Sequence, residues 1–576
     1  MEKIKNPILW SDVPDPDIIR VGDVYYMTST TMHFTPGCPV MKSKDLVHWE
    51  IVNYVYEVLE DSDRMNLQNG VHDYGKGSWA SCLRYHNEMF YVTLAAYNTN
   101  KTYIFHTKGI ENGTWERYTL EGIYHDMSLL FDEDDRVYMV YGGGAIKVIE
   151  LNQEVTAILP GGLDKVILAK TDVGGKGGLP AEGAHIYKRK GWYYIFLIAW
   201  PPISDTSSGR RIVICYRSCQ IDGEYEGRVL LDDDLGFHNM GVAQGGIVDT
   251  PEGEWFSLLF QDHGAVGRIP VLVPVTWEED WPVFGENGKV PAEIPFHLSN
   301  EEPKGIVTSD DFTDRHLALP WQWNHNPAHR FWSLRERPGW LQLTTGFLCS
   351  NLSDARNTLT QRTMGPKCSG EVLIDVKDMK EGDVAGLAAL QDEYGYVGVK
   401  MEEGQKSLVM RKAMPKHTPA YEMDYETGKP EMEVESIPLL QDEVYLRVTF
   451  DFREMIDIAD FYYSLDGDHW VRIGEPLQMI YRLSHFVGYR FALFNYATKE
   501  TGGKVYFDYF RYQILNNDDE LQQKYCTTLR RDSLVKKEQE FKKQTPKQRL
   551  NERRGQFLTA LKCRVFLSKN YEKTSI

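Results

Sequence analysis

The stretch KRKGWYYIFL, residues 188–197, sets a polar, glycine-containing turn before a run of aromatic and apolar residues, the pattern of a hairpin leading into a buried strand. Four other stretches repeat it: VGDVYYMTST (21–30), HNEMFYVTLA (86–95), DEDDRVYMVY (132–141) and PEGEWFSLLF (251–260). Aligned on one aromatic per copy, at Tyr26, Tyr91, Tyr138, Tyr194 and Phe256, they lie 65, 47, 56 and 62 residues apart. Intervals of that size hold four short strands with their turns. The pattern therefore predicts an all-β domain of radially arranged four-stranded sheets, a five-bladed β-propeller.

Eleven or twelve positions before each aromatic stand Asp15, Trp79, Asp126, Glu182 and Gln244. Near-equal offsets imply equivalent places in successive blades. If that place opens the innermost strand, five side chains converge on the axis, and three are carboxylic acids. Gathering acids is costly unless chemistry uses them. Glycoside hydrolysis is such chemistry, since one acid protonates the leaving oxygen while a carboxylate activates water or attacks the sugar. A third charge raises the proton affinity of the acid and orients it.

The local sequence suits those tasks. Glu182 lies in GGLPAEGAHIYKRKGWYY, where small neighbours leave room for a substrate, and Asp15 lies in SDVPDPDIIR, where prolines stiffen the chain. Asp12 and Asp17 remain rivals of Asp15. Asp126 lies in YHDMSLLFDEDDRVY, whereas Asp132, Asp134 and Asp135 read as turn residues.

Composition narrows the partners. The chain has 576 residues, 42% hydrophobic and 12% aromatic, and a net charge of -19 that excludes nucleic acid and anionic membrane as main partners. A neutral oligosaccharide is easier to accept. No basic and apolar leader and no run of about 18 apolar residues is read, so the chain is expected to be cytoplasmic and not membrane-bound. Eight cysteines without CxxC pairing read as free thiols, and Cys215 and Cys219 lack the second pair a zinc site needs.

At these motifs the sequence resembles glycoside hydrolase family 43, the five-bladed propeller enzymes that include β-xylosidases and α-L-arabinofuranosidases. The likeness runs from NPILWSDVPDPDIIRVGDVYYMTST through GSWASCLRYHNEMFYV, YHDMSLLFDEDDRVYMVYG and PAEGAHIYKRKGWYYIFLIAW to GRIPVLVPVTWEEDWPVFG, roughly residues 5–290. It implies inversion, with Asp15 as base, Asp126 as modulator and Glu182 as acid. It also implies that Arg268 lies beside the sugar hydroxyls and that Trp79 and Phe34 wall the pocket. Where relatives carry a histidine near the axis, in some tied to calcium, this chain has Gln244. His263 could supply an imidazole to the same region. The expectation is a reaction with no required cofactor and no metal ligand at the site, while a structural calcium and homo-oligomers stay compatible with the sequence. A non-catalytic carbohydrate-binding propeller and a retaining fructan-type hydrolase are the competing readings.

The expected domains are a propeller over 1–290, a linker over 291–308, a β-sandwich of jelly-roll type over 309–514 and a basic tail over 515–576. GEVLIDVKDM, VYLRVTFDF and KVYFDYFRYQIL alternate as sandwich strands do. The sandwich resembles the concanavalin-like domain of family 43 β-xylosidases, which implies Phe494 as a pocket-closing residue. Asp311 and Asp508 could share the structural calcium. Residues 515–576 carry 15 Lys+Arg against 8 Asp+Glu, and a helix or disorder is expected there.

Overall fold

The computed structural model describes residues 2–515 apart from 172, 174–178, 205–206, 302, 415–417 and 421–429. The expected tail beyond Leu515 lies outside the described residues. Among those described, the chain is nearly all strand, with short 3-10 turns and no helix long and apolar enough to cross a membrane. It divides into two compact units, Met1–Thr308 with Leu319–Pro327, and Ser309–Ala318 with Ala328 onward. The sandwich boundary expected at 309 is thus interrupted: Trp323 and Asn324 pair with Thr35 and Phe34, which places Leu319–Pro327 in the first unit.

The first unit is a five-bladed propeller of four-stranded antiparallel sheets, each with its strands in sequence order. The first strands are Asp17–Val21, Ser78–His86, Ser128–Phe131, Leu179–Arg189 and Ile247–Asp249, and the first strands touch between blades one and two, two and three, three and four, and five and one. The repeated aromatics sit on the second strands, with Tyr26 opposite Ile19, Tyr91 opposite Arg84, Tyr138 opposite Leu130, Tyr194 opposite Tyr187 and Phe256 opposite Val248. Four of the five aromatics are buried and Tyr91 is half-buried. Each buried ring contributes roughly 1.5–3 kcal/mol relative to an exposed one, which explains why an aromatic recurs there.

Apolar clusters fill the spaces between blades: Val40, Leu83 and Val92 between the first two, Leu129, Val137 and Cys82 between the second and third, and Val140, Ile186 and Ile195 between the third and fourth. Closure depends on polar ties. Glu2–Lys5 pairs with Glu293–Phe296, Asn6 bonds to the backbone of Leu272 and Pro291, and Arg20 pairs with Asp249 at 2.6 Å.

One polar group pins the axis. Asp17, fully buried in the first blade, accepts from Arg84 Nη1 at 2.7 Å and from Leu83 N at 2.8 Å, and faces His185 Nδ1 at 3.3 Å. Burial opposes its charge, but Arg84 and His185 outweigh burial and hold its carboxyl well below the usual range. Arg84 continues to Ser128 Oγ at 2.7 Å and Leu129 O at 2.9 Å, so four blades meet on this carboxylate and its partner.

The second unit is the expected sandwich. One sheet orders Glu431–Pro438, Gln405–Ala413, Gly395–Glu402, Asp383–Leu390, Arg490–Ala497 and Leu359–Arg362. The other orders Trp332–Ser333, Leu341–Thr344, Lys504–Ile514, Lys367–Asp375, Glu443–Asp451, Ile458–Ser464 and Trp470–Arg472. Phe491 packs edge-on to Phe450 and Phe510 between them.

Candidate active site

The residues singled out by spacing all stand where their inner strands begin. Asp15, Asp126 and Gln244 enter with φ of 51°, 47° and 60°, a left-handed backbone that residues with a Cβ rarely adopt and that gathers at functional sites. Blades two and four reach the same place through register shifts at Ser78/Ser81 and around Glu182. At Asp15 this conformation stands against the local preference, because Pro16 favours an extended backbone for the residue before it.

Asp15, 6% exposed, accepts from Thr30 Oγ1 at 2.7 Å and from Arg268 Nη1 at 2.9 and 3.0 Å. Its rivals are committed elsewhere: Asp12 accepts the backbone N–H of Arg268, and Asp17 is the axial pin. Arg268 is fully buried, with its guanidinium 5.4 Å from the Phe260 ring centre. A carboxylate fixed by two donors, one cationic, has the orientation that a base needs.

Asp126 and Glu182 form a second group with a residue the spacing did not mark. His125 Nε2 lies 3.1 Å from Glu182 Oε2 and 3.5 Å from Asp126 Oδ2, and Asp126 Oδ2 also accepts from Gly183 N at 3.0 Å. His125 Nδ1 meets the Tyr97 hydroxyl at 2.6 Å, and the Tyr97 ring leans on Trp79 at 4.5 Å. The donor atoms of His125, Asp126 and Glu182 lie within 4.8 Å of one another, close enough to share a cation, but they bond to one another and to Tyr97 and Gly183 as a proton network does. His125 adjoins Asp126 in sequence and was legible only as its neighbour. Tyr97, at the end of the strand Met89–Ala96, carried no signal.

The remaining candidates divide. Trp79, 8% exposed, adjoins Tyr97 and His125. Gln244 packs against Gly183, where an added Cβ would stand 2.9 Å from its amide carbon, so it belongs to the surroundings of Glu182. Phe34 is 2% exposed and packs on His33 at 4.4 Å. His263 does not join the acids: it stacks on Phe237 at 3.9 Å and bonds to Gln261, and burial, with His238 nearby, pushes its pKa down to about 3. It is a neutral packing residue. Phe494 is corrected too: it has no exposed surface and lies in the sandwich's own core against Tyr396 and Tyr496, so its ring is not offered to a pocket. Asp311 accepts from Thr313, and among the described residues no third ligand joins it and Asp508.

Residues 4–282 match the glycosyl hydrolases family 43 profile, and residues 309–513 match the beta xylosidase C-terminal concanavalin A-like domain. The chain is 29% identical over 565 residues to a beta-xylosidase of Formosa agariphila, covering 88% of this chain and 90% of that one. A solved protein of Bacteroides eggerthii, described as a bifunctional GH43-CE, is 47% identical with a TM-score of 0.83; the match covers 90% of this chain and 64% of that longer one. A solved, engineered GH43 glycoside hydrolase described as both an endo-xylanase and an exo-arabinofuranosidase is 31% identical with a TM-score of 0.79, covering 89% of this chain and all of that one.

Proposed function

The chain belongs to glycosyl hydrolases family 43, and from that premise we propose that it releases terminal pentoses by inversion, β-1,4-linked xylose from xylooligosaccharides or α-L-arabinofuranose from hemicellulose. The observation that carries this reading is the division of the site. Asp15, held by Arg268 and Thr30, comes from blade one, and the bonded group of Asp126, His125 and Glu182 comes from blades three and four. A carbohydrate-binding propeller would have no use for that division.

In the proposed step Asp15 takes a proton from water as its oxygen attacks the anomeric carbon. The bond to the departing oxygen breaks with its electron pair, and Glu182 gives that oxygen a proton. Asp126 keeps its charge beside Glu182 and holds the proton on the acid until it is needed. Arg268 orients Asp15; with no exposed surface, its guanidinium is not offered to the sugar hydroxyls as the resemblance implied. The reaction needs only water and these side chains, so no organic cofactor is invoked. The pentoses named for the relatives are xylose and arabinose, whose hydroxyl arrangements one pocket can accept. The buried thiols Cys38, Cys82, Cys215 and Cys368 are unpaired, which suits a reducing compartment such as the cytoplasm.

The test is turnover of 4-nitrophenyl β-D-xylopyranoside and 4-nitrophenyl α-L-arabinofuranoside by the wild type and Asp15→Ala, with the anomer of the first-formed sugar read by proton NMR. Turnover of at least one substrate, a loss of about 10²–10⁴-fold in the variant, and an inverted product are expected. A product of retained configuration overturns the mechanism, and inactivity on both overturns the substrate class.

A further inference from the structure

We infer that His125 is a positioning residue for the general acid: held by Tyr97 with its hydrogen on Nε2, it bridges Asp126 and Glu182 and confines the transferable proton of Glu182 to Oε1. This rests on reading Glu182 as the acid. His125 Nε2 faces two carboxylate oxygens, Glu182 Oε2 at 3.1 Å and Asp126 Oδ2 at 3.5 Å. A nitrogen lone pair there would repel both, or would draw the acid's proton onto the wrong side, so this nitrogen is a donor. In the neutral ring the other nitrogen then accepts, and the Tyr97 hydroxyl at 2.6 Å is the group that donates to it. Fixing an imidazole tautomer through its second nitrogen is a general device.

Two consequences follow for the chemistry. With Oε2 engaged by Nε2–H, the proton that Glu182 delivers sits on Oε1; in the reaction the Oε1–H bond breaks, the departing oxygen gains that proton, and Glu182 is left a carboxylate still bonded to His125. The same N–H lies between the charges of Asp126 and Glu182 and lets two acids stand together in a buried site. The surroundings favour this geometry. Tyr97 leans on Trp79 at 4.5 Å, and a Cβ at Gly143 would stand 3.5 Å from His125 Cδ2 and 3.8 Å from Glu182 Oε2, so glycine leaves the face of the pair open.

The test measures kcat/KM and its pH profile for the wild type, Glu182→Ala, His125→Phe, His125→Gln and Tyr97→Phe on aryl glycosides of the preferred pentose, from 2,4-dinitrophenyl, which departs unprotonated, to phenyl, which does not. His125→Phe is expected to lose about tenfold or more on the phenyl glycoside, the worth of one hydrogen bond to a charged group, and little on the dinitrophenyl glycoside. Its alkaline limb should move up, because a carboxylate without this donor holds its proton more tightly. His125→Gln, which can still donate, should recover most of the loss, and Tyr97→Phe should share the phenotype in weaker form. An equal loss on both leaving groups with an unmoved limb, or no rescue by Gln, overturns the inference while the acid keeps its role. If Glu182→Ala itself fails to discriminate leaving groups, the general-acid reading falls, and this inference with it.

Discussion

Arg268 Nη1 donates to both carboxylate oxygens of Asp15, at 2.9 and 3.0 Å, from a guanidinium with no exposed surface. The pair joins the last blade to the first and at once fixes Asp15, the proposed base, so Arg268 has a structural and a chemical consequence. Arg268→Met leaves Asp15 buried without its cation. We expect a loss of about 3–5 kcal/mol in stability, read by urea denaturation, and a fall of about 10²-fold or more in kcat. Arg268→Lys should not restore activity, because a compact, strongly hydrated ammonium on a flexible stem does not take the place of a fully buried planar guanidinium against Phe260. Recovery of wild-type kcat by the lysine variant would show that only the charge matters.

Gly183 links Glu182 to Asp126, the proposed acid and its modulator. Its N–H donates to Asp126 Oδ2 at 3.0 Å, its φ is +68°, and an added Cβ would stand 2.9 to 3.0 Å from the Gln244 side chain. Gly183→Ala should cost about 1–2 kcal/mol from backbone conformation alone. The displacement of Glu182 should lower kcat about 10²-fold with the fold intact. Comparing circular dichroism melting with kcat separates the two effects. An active Gly183→Ala enzyme would mean that Gln244 moves aside.

Much of this was legible in the sequence, and the reason is the repeat. A residue 11 or 12 positions before a buried aromatic has its place set by strand length and hairpin register, so Asp15, Asp126, Glu182, Trp79 and Gln244 could each be assigned to the inner strand of a blade without coordinates. His125 and Tyr97 could not, because a hydrogen bond between blades has no period along the chain. Phe494 failed for a related reason: the strand Arg490–Ala497 is buried along its whole length and carries aromatic rings on both faces, so its sequence does not say which ring is core. The return of Leu319–Pro327 to the propeller was equally hidden, since Trp323 reads as a strand residue in either unit.

The Asp17–Arg84 pair predicts where the propeller is brittle. Asp17 has no exposed surface, and Arg84 also holds Ser128 and Leu129. Removing one partner leaves a buried charge, so Arg84→Met and Asp17→Asn should each cost about 3–5 kcal/mol. The double variant should cost less than the sum, because the second substitution removes the charge that the first left unpaired. A urea-denaturation cycle measures the coupling, and strict additivity would show that the pair contributes nothing beyond its separate packing.

Acid should weaken the propeller before it weakens the sandwich. His263 and His325 are buried neutral: burial, with neighbouring histidines adding to it, lowers the first to about 3 and holds the second well below 6.5. The unfolded chain therefore binds protons that the folded propeller refuses, for His263 in the window from about 6.5 down to about 3 and for His325 from about 6.5 downward. The stability these histidines contribute is complete above 6.5 and is lost as the pH falls through that window, at about 1.4 kcal/mol per pH unit for each group. In the sandwich Asp383 has the opposite sign, because burial raises its carboxyl to about 6 and protonation there favours the fold as the pH drops below that value. Unfolding followed at pH 7, 6, 5 and 4 should show one transition falling steeply and the other little changed. His263→Phe, which keeps a ring against Phe237, should flatten the steep one by about one proton's slope. If the slope is unchanged in that variant, His263 is protonated in the folded propeller.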